Sequence, residues 1–291
     1  MARIGWTAVA VLAGALTLAA AASAVSPDVA AMNLQAADVP GAKVVNQHAV
    51  KEPGYVAAHF RSFVFSTPNK GPRLIGIESE TELAADPAKA TADIGDAVKV
   101  FASKTQRKSI IASIAKNAQV KPKAVSIGPS RKVAGFDQGI AVTIGVAAKG
   151  RHVYESLVFV RLDRVAIQLI EVAAHPIAAS VTAKYAGLMA AHIAKELSPL
   201  GVTVPTVAGT AQQGQTLTAT NGTWTAPDAT FTYQWQDCDS AGANCADIAG
   251  ATGSTYAVTP ADVGKTVHVV VKATNRFGTA TAPSAASAVV T

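Results

Sequence analysis

The chain has 291 residues, 49% of them hydrophobic but only 5% aromatic, and a formal net charge of +6. That length allows about two domains, and the apolar fraction excludes a disordered chain. The charge is uneven: from Thr206 onward there are three basic and five acidic side chains, a net of −2, whereas the preceding residues carry 22 and 14, a net of +8.

Met1-Ala2-Arg3 is a short basic start, residues 4–22 an uncharged apolar run, and Ala22-Ser23-Ala24 supplies the small residues a signal peptidase reads. This pattern predicts a secretory signal cleaved after Ala24, and hence a secreted or extracellular protein, with cell-surface association left open. An uncleaved membrane anchor is the competing reading, because the run is near the ~17-residue minimum for spanning a bilayer. Residues 25–41 read as an N-terminal arm.

Strands are expected at 42–50, 58–66 and 73–83. In the third, Ile75 and Ile77 are assigned one face and Glu78, Glu80 and Glu82 the other. Asp86-Pro87 then signals a helix start, an Asp cap before a Pro at the first helical position. Ile94, Val98 and Phe101 recur at helical spacing. Ile110, Ile111 and Ile114 continue in a second segment, broken or bent near 103–105. Period-two patterns resume at 140–147, 152–162 and 165–173, linked by short turns that force antiparallel neighbours. A last helix, 178–197, carries Val181, Tyr185, Leu188, His192 and Ile193 on one stripe. The order strand-strand-strand, helix-helix, strand-strand-strand, helix implies an α+β domain over 42–198, an antiparallel sheet with helices packed on one face. A linker is expected at 199–205.

Residues 206–291 read differently. Short Thr/Val-rich strands at 215–219, 230–237, 255–258, 266–274 and 287–291 are punctuated by Asn221-Gly222, Pro227-Asp228, Gly250 and Gly253, the spacing of an all-β sandwich. Within 266–274, Val267, Val269, Val271 and Ala273 share a face. Two cysteines, Cys238 and Cys245, bracket a polar Gly/Asn loop just past a strand centred on Trp235. In an exported chain this even pair predicts a disulfide, which by closing so short a loop contributes about 2–3 kcal/mol. A zinc site would need two further ligands, and the closest histidine is His268. Asn221-Gly222-Thr223 fits a glycosylation sequon and equally a hairpin turn; the turn is preferred.

Two resemblances follow from these residues. Gly209-Thr210-Ala211-Gln212-Gln213-Gly214-Gln215-Thr216-Leu217, Trp224, Tyr233-Gln234-Trp235-Gln236, the cysteine pair and Pro260-Ala261-Asp262-Val263-Gly264-Lys265-Thr266 resemble the Ig-like repeats of exported actinobacterial surface proteins. The resemblance implies an Ig-like β-sandwich with Trp235 as its core tryptophan, serving as a spacer or adhesive module. Unlike antibody-type domains, the segment lacks the inter-sheet disulfide, and Thr266 stands where the corner motif would place a Tyr. Leu34-Gln35-Ala36-Ala37-Asp38-Val39-Pro40-Gly41 resembles the opening of exported proteins with a PsbP/Mog1-like fold, of the mycobacterial LpqN type. Those families bind partners and share no catalytic residues.

Between Asp96 and Asp137 no acidic residue occurs, while Lys104, Arg107, Lys108, Lys116, Lys121 and Lys123 are among nine basic ones. Such a face either attracts an anionic cell-wall polymer or lipid surface or is simply solvated. With only Phe101 and Phe136 in the interval, nucleic acid is not expected as a partner. Another exported protein is a further candidate partner. The six histidines lack ligand spacing, Gly128-Pro129-Ser130 lacks the second Gly of a nucleophile elbow, and His192 reads as a packed or rim residue. Glu78, Glu80 and Glu82 form either a cation site or a solvated face. No metal or other cofactor and no catalytic residue is expected. The leading reading is a non-catalytic binding or adhesion protein; the alternatives are an extracellular hydrolase of surface polymers, with its site in the α+β domain, or a structural spacer.

Overall fold

The computed structural model describes residues 27–65, 74–226 and 228–291. The expected signal and its cleavage point at Ala24 lie outside the described residues. Residues 28–193 form one compact unit and residues 194–291 a second.

In the first unit a short helix, α1 (Val29–Met32), precedes β1 (Ala42–Val50), β2 (Tyr55–Phe65) and β3 (Leu74–Ala84). There follow α2 (Pro87–Ala102), α3 (Lys104–Asn117), the short β4 (Val125–Ile127) and β5 (Arg131–Lys132), then β6 (Gln138–Ala148), β7 (Arg151–Leu162), β8 (Val165–Ala173) and α4 (Ala179–Leu197). The sheet runs β1-β2-β3-β8-β7-β6-β4, with β5 also on β6. Two three-stranded meanders, β1–β3 and β6–β8, therefore meet along β3 and β8. The β6–β7 turn is Lys149-Gly150, with φ of +49° and +72°. This is the left-handed pair that matches the twist of a hairpin.

Asp86 caps α2, accepting from Ala88 N at 2.7 Å, and Pro87 opens it. Ser103 resolves the break: its extended backbone ends α2 by donating to Lys99 O, and its hydroxyl accepts from Gln106 N to start α3. The helices do not share one face of the sheet. On β8, Ile170 packs with Phe101, Val142 and Leu157 on the α2/α3 side. Its neighbour Glu171 accepts a hydrogen bond from Thr182 of α4, and adjacent strand residues point to opposite faces. The central strands require cover on both sides: Leu157, Val158, Ala166 and Ile167 are each at most 2% exposed. Burial on both faces explains why 165–173 is nearly continuously apolar.

Other boundaries also move. Of the expected arm, residues 27–41 are not loose, since Val29, Met32, Leu34 and Val39 are buried. Asn33 Nδ2 donates to His59 O at 2.8 Å and Ser79 O at 3.1 Å, fastening this segment to β2 and β3. Ile75 is exposed while Ile77 is buried. A register shift between Leu74 and Gly76 breaks the alternation on which their shared face depended.

The second unit contains β9 (Gly201–Thr203), β10 (Val207–Ala208), β11 (Thr216–Ala219), β12 (Thr223–Trp224), β13 (Thr230–Cys238), β14 (Ala246–Asp247), β15 (Thr255–Ala257), β16 (Thr266–Asn275) and β17 (Gly278–Pro283). Its sheets are β10-β11-β15, β14-β13-β16-β17 and the pair β9-β12. Leu217 and Tyr256 from the first sheet share a core with Trp235, Val267, Val269, Val271 and Ala273 from the second. Residues 199–205 are thus not merely a linker, because β9 pairs with β12. The expected strand at 287–291 is not formed, although Val290 is buried and its N–H donates to Lys265 O at 2.7 Å. The last strand is instead β17, turned back by Asn275, whose side-chain oxygen accepts from Phe277 N and Gly278 N.

Candidate functional site

Five lysines of the basic stretch lie at the surface. Lys104, Lys108 and Lys116 project from α3, and Lys121 and Lys123 flank or occupy the 3-10 turn Pro122–Ala124; all five are exposed. Helical spacing puts Lys104 and Lys108 one turn apart and Lys116 two turns on. The underside of α3 is apolar, where Ala115 is buried and Ile110, Ile111 and Ile114 pack on the core. Arg107 is half-buried and placed differently from these lysines. Its Nη2 donates to Ile127 O and, at 2.8 Å, to Gly128 O. The guanidinium clamps α3 to the β4 end and is committed to the fold.

The three glutamates do share one face of β3, but it is not an open solvated one. Glu78, Glu80 and Glu82 are half-buried. The carboxylates of Glu52, Glu80 and Glu82 lie within 4.8 Å of one another. Burial, then the neighbouring charges of Glu80, Glu52 and Asp93, push Glu82 up to about 7. Burial likewise raises Glu78, Glu80 and Glu155. Beside them Tyr55 donates to Asp93 at 2.5 Å, and Lys89 pairs with the same carboxylate. Desolvated carboxylates at this spacing favour taking up a proton over remaining jointly ionised.

His192 sits where α4 meets the segment after α1. Its Nδ1 lies 3.1 Å from Asn33 O and its Nε2 3.7 Å from the Asp38 carboxylate. It is a rim histidine tying two elements together. Burial, then the Arg61 charge, lowers the proton affinity of His59.

Cys238 and Cys245 are bonded, with an S–S distance of 2.02 Å. Asp239 shapes the loop they close. Its carboxylate accepts from Ala241 N at 3.0 Å, Ala243 N at 2.9 Å and Asn244 Nδ2 at 2.8 Å. These bonds hold it below the usual carboxylate range. His268 lies near both sulfurs and hydrogen-bonds Gln236 at 2.6 Å. Sulfurs joined to each other offer no thiolate to a metal. Trp235 is fully buried, stacks on Tyr256 with ring centroids 5.6 Å apart, and donates to Gly253 O at 2.9 Å.

Gly222 takes a φ of +71° and has no room for a Cβ, which would fall 2.3 Å from Thr203 O. The expected hairpin turn at Asn221-Gly222 is not formed, since neither residue lies in a turn and β11 and β12 belong to different sheets. Asn221 Oδ1 accepts from Tyr233 OH at 2.6 Å. The bond between Tyr256 and Asp262 and the burial of Glu171 were not read from the sequence. Tyr256 and Asp262 bond at 2.7 Å inside the second unit, and Glu171 is enclosed beneath α4. The available signal for Glu171 was its position, the one acidic residue in the apolar run VAIQLIEVA.

No family model matches the chain, and no curated protein does. Among solved structures, the extracellular domain of PknH from Mycobacterium tuberculosis is similar over 58% of this chain and 94% of that one, at 7% identity and a TM-score of 0.35. No helix of the described residues is long and apolar enough to cross a membrane.

Proposed function

We propose that this is an exported, non-catalytic binding protein of the cell surface or medium. Its first unit presents a lysine face to an anionic polymer or lipid surface, and its second unit is an Ig-like adhesive or spacer module. The observation that carries the reading is the set of five exposed lysines, Lys104, Lys108, Lys116, Lys121 and Lys123, in a stretch of chain without an acidic residue between Asp96 and Asp137. Summed charge of this kind attracts polyanions without fixed geometry, so binding should be salt-dependent and tolerant of the polymer's structure. Support for the Ig-like module comes from two antiparallel sheets closing on Trp235 and from the Cys238–Cys245 bond at the end of its central strand.

The test is retention on anionic cell-wall polymer and on vesicles containing anionic lipid, across a salt series. Lys104→Glu, Lys108→Glu and Lys116→Glu together should elute at markedly lower salt than the unmodified protein. Identical elution of the two proteins at every salt concentration would reduce the face to a solubilising one. Arg107 is left intact, because its loss would disturb the fold.

A further inference from the structure

Glu171 on β8 is the most deeply enclosed carboxylate among the described residues, with 0% of its surface exposed. One carboxylate oxygen, Oε2, accepts from the Thr182 hydroxyl of α4 at 2.5 Å, and Thr182 lies 3.2 Å from the Ser156 hydroxyl of β7. Thr182 and Ser156 are buried as well. The other oxygen, Oε1, has no hydrogen-bond partner. Across the two ladders Glu171 faces Ile77 and Ser156, neither of which titrates. The groups that act on its charge are Arg131 of β5, which favours the ionised form, and Tyr185 of α4. Burial outweighs Arg131 and both hydroxyls, and pushes Glu171 up to about 7.

An ionised carboxylate in this position keeps a charge in the interior with one oxygen unsolvated, a state that the protein relieves by protonation or by opening. Among the elements around it, α4 is joined to Glu171 through the side-chain bond from Thr182, whereas β3 and β7 pair with β8 along the backbone ladders of the sheet. We propose that Glu171 is a proton-operated latch for α4: when protonated it allows the first turns of the helix to seat on the sheet through Thr182, and when ionised it loosens them. The glutamates of β3 and Glu155 lie on the opposite face, with Glu78 paired to Ile170 and Glu155 next to Ser156 along β7. Their titration therefore leaves the α4 face untouched.

The sign is set by linkage. A carboxyl with a raised pKa in the closed state binds its proton more tightly there, so closure is favoured below the ordinary Glu value of 4.5 and weakens as pH rises toward about 7 and beyond. Amide hydrogen exchange at pH 6 and pH 8.5, corrected for intrinsic rates, reads this directly. Protection of amides 183–189 should fall about tenfold from the lower to the higher pH while the β6–β8 amides hold theirs, and in Glu171→Gln the two values should agree. A Glu171→Gln protein that keeps the tenfold change, or a loss spread evenly over the whole first unit, overturns the latch. Should that variant fail to fold, the carboxyl carbon resonance of Glu171 in the unmodified protein decides. A midpoint near 7 sustains the proposal and one near 4.5 ends it.

Discussion

Removing the Asp262 carboxylate should destabilise the second unit through one buried hydroxyl. Asp262 is 2% exposed, and its Oδ2 accepts from Tyr256 OH at 2.7 Å, Thr259 N at 2.7 Å and Thr259 Oγ1 at 2.8 Å. Thr259 is exposed, so water replaces most of what its two donors lose. The Tyr256 hydroxyl is buried and would be stranded. A lost cap is worth about 1 kcal/mol and a stranded buried donor about 1–3, so Asp262→Ala should cost about 2–4 kcal/mol. Tyr256→Phe alone removes one charge-assisted bond, at about 1.5–3 kcal/mol. In the Asp262→Ala background the same change should recover about 1 kcal/mol, because it deletes the donor left without an acceptor. Denaturant unfolding followed by tryptophan fluorescence isolates the effect. Trp224 and Trp235 belong to the second unit, and Trp6 lies ahead of the expected cleavage point. If Tyr256→Phe costs the same in both backgrounds, the hydroxyl does not act through the carboxylate and the reasoning fails.

The long helices belong mainly to the first unit, so ellipticity at 222 nm follows it separately. Arg107→Ala should lower its stability by about 1–3 kcal/mol by freeing the carbonyls of Ile127 and Gly128; an unchanged midpoint would return Arg107 to the surface set. The raised glutamates of β3 bind protons more tightly folded than unfolded, so the first unit should be most stable below pH 4.5 as far as these groups decide and lose stability as pH rises toward about 7. Glu82→Gln should flatten that slope, and a slope of opposite sign would show that the cluster is compensated. Cys238→Ala with Cys245→Ala should lower the tryptophan-monitored stability by about 2–3 kcal/mol, and equal midpoints would mean that the Asp239 hydrogen bonds alone hold the loop.

Local rules were legible where one residue decides the outcome. Asp86-Pro87 marked the start of α2, and the alternation of Val267, Val269, Val271 and Ala273 marked the inward face of β16, each of them 0% exposed. The two-residue strand β5 and the short β4 carry no readable period, being set by pairing with β6. Arg107 and Lys108 are neighbours of the same charge, yet one reaches two carbonyls some twenty positions away and the other is exposed. That contrast rests on where β4 returns, which composition does not encode.

Periodicity, caps and turn residues act over a few positions, so the amino-acid order alone determined an antiparallel α+β half, an all-β half and the pairing of the only two cysteines. Which face each helix covers, that residues 27–41 pack into the first unit, and that Glu171 loses all contact with water were decided by the meeting of β3 with β8, two strands more than eighty residues apart in the chain. Burial and pairing over such distances arise only when the sheet closes, and with them come the shifted proton affinities on which the α4 latch depends.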